Sequence, residues 1–420
     1  MFKCKKKSLI VLSIYTVCLM KNAFAATNDP PSLYPTDPLQ YAYYQRYAVN
    51  DYIGDRPGLQ LVNAWPITQG SSNVIVGIVG SGIYPFVELE GRLVPGYNVI
   101  TGTTNTISVT GEDNGLATII GANANNGRFG AGIDWNCKIM PIVVMDSLGG
   151  FDITNYAKGI DYATEHGCKI ILCAPHSGTN NYVDLLASAV SNATDHGSIV
   201  VAEALSRGTV ESTEYPGAFR EVIAAGAAGY IAPAQPVKGV DVWSAYPLDY
   251  SVVTASSYYP TGVYMRVLTE DMPMPASAAM VAGVCSLLVS VRPDITTEQA
   301  RALLCLGAIQ PRFIKTNGFD PLTGWGYVNA YNSLILAQTR IEQFQMNKGV
   351  AECSWVSPVN ASNREPYTVE FSPSVNGNWV APDQAVYTYT TNRTFFRGTS
   401  MLFTNNNLFC RLRLRDVLEP

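Results

Sequence analysis

Val74-Ile75-Val76-Gly77-Ile78-Val79 is an unbroken apolar, mostly β-branched run, and it decides the fold class. Such a run reads as a strand buried on both faces inside a sheet. Four more strand candidates follow it: Lys138-Ile139-Met140-Pro141-Ile142-Val143-Val144, Lys169-Ile170-Ile171-Leu172, Ser198-Ile199-Val200-Val201-Ala202 and Val222-Ile223-Ala224-Ala225. Helical stretches separate them. Residues 115–122 form a small-residue helix, and 153–165 and 182–195 have amphipathic spacing. Further helices are expected over 276–290, which is apolar throughout, and 297–306, where Thr296 or Thr297 with Glu298 marks the start. Alternation of this kind predicts an α/β fold of three layers, with a mostly parallel central sheet.

Past about residue 340 the period changes to two. Tyr367-Thr368-Val369-Glu370-Phe371, Ala385-Val386-Tyr387-Thr388-Tyr389 and Leu408-Phe409-Cys410-Arg411-Leu412-Arg413-Leu414 alternate, with Asn-Gly, Pro-Asp and Asn-rich turns between them. This predicts a small C-terminal antiparallel β module.

The N-terminus reads as an address. Lys3, Lys5, Lys6 and Lys7 precede the apolar stretch Leu9–Met20, which is shorter than the roughly 20 residues of a bilayer-spanning helix. Ala23-Phe24-Ala25 has the small-x-small form of a signal-peptidase site. The expected organisation is a signal peptide over 1–25, a Pro- and Tyr-rich arm over 26–56, an α/β domain over 57–340 and the β module over 341–420. The expected location is exported: periplasmic, envelope-bound or secreted. No membrane span is expected after cleavage.

Charged residues make up only 15% of the 420 residues and the net charge is −5, so no basic field exists to hold nucleic acid. Three histidines leave little material for a histidine-based metal site. Of the cysteines beyond the leader, Cys173 and Cys285 sit in apolar runs and read as small buried hydrophobes. Cys353 and Cys410 are the best candidates for a disulfide within the β module. His166 and His196 each precede glycine where a helix is expected to end, so they read as C-terminal capping residues.

Between about Ala64 and Ala337 the chain resembles the subtilases, the subtilisin-like serine peptidase family. Val76-Gly77-Ile78-Val79-Gly80-Ser81-Gly82-Ile83 resembles the family strand V-A-V-I-D-T-G-V. The helix Glu112-Asp113-Asn114-Gly115-Leu116-Ala117-Thr118-Ile119-Ile120-Gly121-Ala122 resembles H-G-T-x-V-A-G-I-I-G-A. Residues Ala131-Gly132-Ile133-Asp134-Trp135-Asn136-Cys137-Lys138-Ile139-Met140-Pro141 resemble A-G-V-A-W-N-x-K-I-M-P. Further blocks follow in family order: residues 200–208, Tyr215-Pro216-Gly217, Val240-Asp241-Val242-Trp243, Val281-Ala282-Gly283-Val284 and Gly324-Trp325-Gly326-Tyr327-Val328-Asn329-Ala330. Each block alone is weak; their order and spacing make the signal specific.

The resemblance implies a serine nucleophile, a histidine base, an orienting aspartate and an oxyanion asparagine. Carried over position by position, the aspartate becomes Gly80, the histidine Glu112, the asparagine Ser206 and the nucleophile Pro275. Proline has no hydroxyl, thiol or amine. Loss of one member of such a unit already costs about 10⁴ to 10⁶ in rate. The groove block also departs, reading Ala174-Pro175-His176-Ser177. The expected protein is therefore a pseudopeptidase without catalytic residues. Its former substrate cleft, lined by His176, Ser177, Glu203 and Ser206, would hold a peptide or protein partner.

Two other readings stand beside it. A hydrolase rebuilt around Glu112, Glu203, Ser206 and Ser277 would need Ser277 as nucleophile, two residues off the aligned position. Glu112 at the base position is similar to the sedolisins, which use a Ser-Glu-Asp set, but the E-x-x-x-D spacing is missing. Alternatively, the β module binds and the α/β domain is a spacer. Asn123–Asn126 resembles a calcium loop of some subtilases but carries no carboxylate of its own, so neither metal nor cofactor is predicted.

Overall fold

The structure is a computed structural model that describes residues 2–5, 8–10, 35–37, 58–108, 111–128, 130–146, 149–174, 183–203, 215–228, 242–245, 276–309, 325–339, 341–347, 350–356, 367–372, 378–390, 393–399 and 407–414. The chain divides into two compact units, one of residues 31–334 with 418–420, the other of 1–30 with 335–417. Among the described residues no helix is long and apolar enough to cross a membrane.

In chain order, two short strands come first, Phe2–Lys5 (β1) and Ser8–Ile10 (β2). The larger unit then contributes helix Leu61–Ala64 (α1), strands Ile75–Gly80 (β3) and Tyr97–Asn98 (β4), helix Glu112–Gly121 (α2) and strand Lys138–Val143 (β5). Helix Ile153–Glu165 (α3), strand Ile170–Cys173 (β6), helix Asp184–Asp195 (α4), and strands Ile199–Glu203 (β7), Ile223–Ala228 (β8) and Val242–Ala245 (β9) follow. Helices Ala276–Val291 (α5), Thr297–Gly307 (α6) and Ala330–Gln338 (α7) complete the series.

Among the described residues the seven strands of this unit form one sheet in the order β4-β5-β3-β6-β7-β8-β9, and every pair is parallel. The expected α/β class holds. Helices α3 and α4 pack together on one face, where Val79, Ile142, Tyr156, Ile160, Ile171, Val190 and Val200 share a core. Helix α5 packs on α2 and runs over β6 to β9. Each fully buried Val or Ile contributes about 1.5–3 kcal/mol relative to exposure.

Local chemistry explains the ends of the helices. Thr296 caps α6 through a reciprocal box with Gln299, not Glu298: Gln299 N donates to Thr296 Oγ1, and Thr296 N to the Gln299 side chain. His166 and His196 cap α3 and α4 as expected. Each Nδ1 lies 2.8 Å from the carbonyl four residues back, and the following Gly167 and Gly197 take positive φ. The two turns are also tied to each other. Ser198 Oγ donates to Cys168 O at 2.8 Å, and Lys169 Nζ to Gly197 O at 2.5 Å.

The smaller unit adds strands Gln343–Asn347 (β10), Val350–Val356 (β11), Tyr367–Ser372 (β12), Gln384–Tyr389 (β13), Arg393–Thr399 (β14) and Asn407–Leu414 (β15). They make two antiparallel sheets, β10-β11-β14-β13 and β12-β15-β1-β2. The expected β module is present and richer than its sequence suggested. The expected Cys353–Cys410 disulfide is not formed. Both cysteines are buried, on β11 and β15 of separate sheets. Apolar packing does the joining instead: Phe371 on β12 and Phe396 on β14 have ring centroids 6.2 Å apart. On β12 and β15, the poorly exposed carboxylate of Glu370 is bracketed by Arg411 at 2.7 Å and Arg413 at 3.3 Å.

Candidate active site

The chain moves to one side of β3 for β4 and β5, then to the other for β6 onward. The sheet's switch point therefore lies at the C-terminal end of β3, where open α/β sheets bind ligands. Gly80 is the last residue of that strand, and the first turn of α2 stands against it.

A Cβ added to Gly80 would lie 2.4 Å from Oδ2 and 2.7 Å from Oδ1 of Asp113. That is closer than nonbonded atoms tolerate, so position 80 has no room for a side chain while Asp113 keeps its place. Asp113 is 2% exposed, and its Oδ2 accepts from Gly82 N at 2.9 Å. The neighbouring Asn114 is fully buried and grips the same segment twice. Its Oδ1 accepts from Tyr84 N at 3.0 Å, and its Nδ2 donates to Tyr84 O at 2.8 Å. Helix α2 has a glycine N-cap, Gly111, with no side-chain cap; Gly111 N instead donates to Ser108 Oγ at 2.9 Å. Positions 80 and 112, expected from the resemblance to stand for the family's aspartate and histidine, thus lie on adjoining elements, with Glu112 opening α2.

Glu203 ends β7 and is 8% exposed. Its row in the sheet, one step past Val79, Cys173 and Ala202, places it across β6 from Gly80. Two strand spacings separate their backbones, about 10 Å. Ser277 lies in the first turn of α5, fully buried, and its Oγ makes no hydrogen bond. A serine becomes a nucleophile when a base receives its proton; Ser277 has neither exposure nor such a contact. Pro275, Ser206, His176 and Ser177 lie outside the described residues.

Three cysteines of this unit are buried thiols with raised pKa. Burial pushes Cys173 up to about 12, against the lowering effect of its hydrogen bond with Tyr156, and pushes Cys168 and Cys285 up to about 12 as well. Such thiols stay protonated and inert near neutrality.

Two carboxylate clusters were not anticipated. Asp134 is fully buried where the family block has alanine. Its Oδ1 accepts from Asn136 N and Cys137 N, both at 2.8 Å, and its Oδ2 from Ser286 Oγ of α5 at 2.5 Å. The readable signal was an acid inside an apolar motif. Asp37 is also fully buried, and its carboxylate accepts from three successive backbone amides: Asn125 at 2.6 Å, Asn126 at 2.9 Å and Gly127 at 3.1 Å. Glu88 lies beside it, with Asn126 Nδ2 at 3.2 Å from each of its oxygens. Sequence distance hid this pairing.

This is the loop whose sequence resembles a calcium loop, and its donor set does not suit a cation. Amide N–H groups point at Asp37 as they would at an anion, and no group of three or more metal-binding side chains occurs among the described residues. Calcium or a chelator is expected to move the melting temperature by less than about 1 °C. A rise of several degrees in calcium would show that the loop binds it.

The fold and these blocks agree with comparison to known proteins. The subtilase family profile matches residues 71–262. The chain is 26% identical over 321 residues to a thermophilic serine proteinase of Bacillus sp. (strain AK1), covering 74% of each chain. It is 28% identical over 281 residues to thermitase of Thermoactinomyces vulgaris, covering 66% of this chain and 93% of that one. A protease structure from Pseudoalteromonas arctica superposes with TM-score 0.58 at 20% identity, over 73% of this chain and 100% of the other. Residues 71–262 thus match the subtilase family, and the fold is subtilisin-like, an α/β domain followed in the chain by an antiparallel β module.

Proposed function

We propose that this chain is an exported, catalytically silent subtilase whose former substrate cleft holds a peptide or protein. One observation carries the reading. The serine that would have to replace Pro275 as nucleophile, Ser277, is fully buried with its Oγ unbonded. The remaining departures point the same way: Gly80 cannot carry an orienting carboxylate, and Glu112 is not a histidine. Export fits the lysine-rich leader and the names of two relatives, the minor extracellular protease Epr of Bacillus subtilis and an extracellular basic protease of Dichelobacter nodosus.

The same relatives favour a second reading, a serine endopeptidase with a displaced nucleophile, because they are named as proteases. Fluorophosphonate labelling of the purified protein, with mass mapping of any adduct, separates the two. No adduct is expected beside a fully labelled active subtilisin. An adduct on Ser277 or Ser206 would overturn the silent reading. Removing residues 341–420 then asks which unit binds: peptide capture survives if the cleft carries it and is lost if the β module does.

A further inference from the structure

Two departures from the family blocks face each other across the β3–α2 contact. Where V-A-V-I-D-T-G-V has aspartate, β3 has Gly80; where H-G-T has glycine, α2 has Asp113. The two positions have exchanged a carboxylate for a hydrogen, and they are the two positions in contact. A Cβ on residue 80 would fall 2.4–2.9 Å from the Asp113 carboxyl atoms. The carboxyl carbon of an aspartate there would lie only one further bond, about 1.5 Å, beyond that Cβ. The two carboxylates therefore cannot share this space unless Asp113 turns away from the Gly82 amide.

We infer that Asp113 supplies, from the helix, the carboxylate that the family blocks mount on the strand at position 80. The placement explains its partners. The carboxylate accepts the Gly82 amide of the strand's exit turn, at 2.9 Å. It sits in the first turn of α2, where the helix dipole favours a negative charge. It is 2% exposed, which makes it a positioning residue behind the end of β3. This assignment does not depend on whether the cleft is silent. It concerns where the charge is held, not whether position 275 can attack.

The test is a reciprocal exchange. Gly80→Asp alone forces two carboxylates into one space, and Asp113→Gly alone empties it. Each is expected to lower the melting temperature by about 10 °C or more. Gly80→Asp/Asp113→Gly rebuilds the family arrangement and is expected to melt above both single variants. A double variant no more stable than the better single overturns the proposal, and so does a double variant that fails to fold.

A second measurement reads the charge itself. In Glu112→His the new imidazole occupies the family's base position. Its pKa, followed by NMR, is expected to be at least about one unit higher than in Glu112→His/Asp113→Asn. A smaller difference would mean that the carboxylate is not held where an orienting residue must be, and would retire the assignment.

Discussion

Asp134→Ala is expected to lower the melting temperature by about 10 °C. Three donors converge on this carboxylate, and two of them, Cys137 N and Ser286 Oγ, belong to buried residues that water does not reach. An unsatisfied buried donor costs about 1–3 kcal/mol, so the pair amounts to about 2–6 kcal/mol. The site also ties the segment before β5 to α5, the helix that covers four strands. Asp134→Asn keeps an acceptor for the backbone amides and an isosteric partner for Ser286, and is expected to stay within about 3 °C of wild type. The contrast matters because burial raises the Asp134 pKa above its ordinary value, with the Ser286 and backbone bonds opposing that shift. If alanine and asparagine are equally mild, the hub has no structural role. Thermal melts at a single pH decide.

The second large effect is one of pH. Glu88 is fully buried, and its pKa is pushed up to about 7, first by burial and then by the neighbouring Asp37 charge; Asn126 and Arg128 oppose the shift. Between the ordinary value of 4.5 and about 7, the folded chain holds a proton that the unfolded chain releases. Stability from this group is therefore complete below about 4.5 and is lost as pH rises through 7. The loss is on the order of 2 kcal/mol. Glu88→Gln removes it, so melting from pH 5 to pH 8 should fall by about 5 °C less in the variant than in wild type. Parallel profiles for the two proteins would show that Glu88 is ionised throughout.

The parallel sheet was legible because its strands are buried on both faces, which leaves unbroken β-branched runs such as 74–79 and 138–144. Helix α3 matched its expected bounds because its apolar period is strong and Asp152 caps it. Helix α2 begins three residues earlier than its small-residue run suggested, because glutamate, aspartate and asparagine in its first turn do not look apolar. In the β module, β10, β11 and β14 escaped notice. β10 alternates but is only five residues long, while β11 and β14 mix Glu or Arg with aromatic residues and lack a clean alternation. For the site, the departures at Gly80 and at Glu112 came from setting the sequence against the family blocks it resembles. That Asp113 fills the space at Gly80 could not be read this way, because it requires the helix to be laid against the strand. The Asp37–Glu88 pairing was equally hidden, since fifty residues separate them and only the fold brings them together.

The two stitched turns, His166-Gly167 and His196-Gly197, bear on how far the sheet's alignment depends on its mouth. They lie where β6 and β7 begin, and each side is fastened to the other by Ser198 and Lys169. That rim sets strand register before the chain reaches the opposite end of the sheet. The end holding Gly80, Glu203 and the start of α2 inherits its alignment and does not create it. Inventive change at the mouth and conservatism at the base can therefore proceed separately. Substitutions at the mouth leave the seam's hydrogen bonds in place, so the two ends of the sheet can be varied independently.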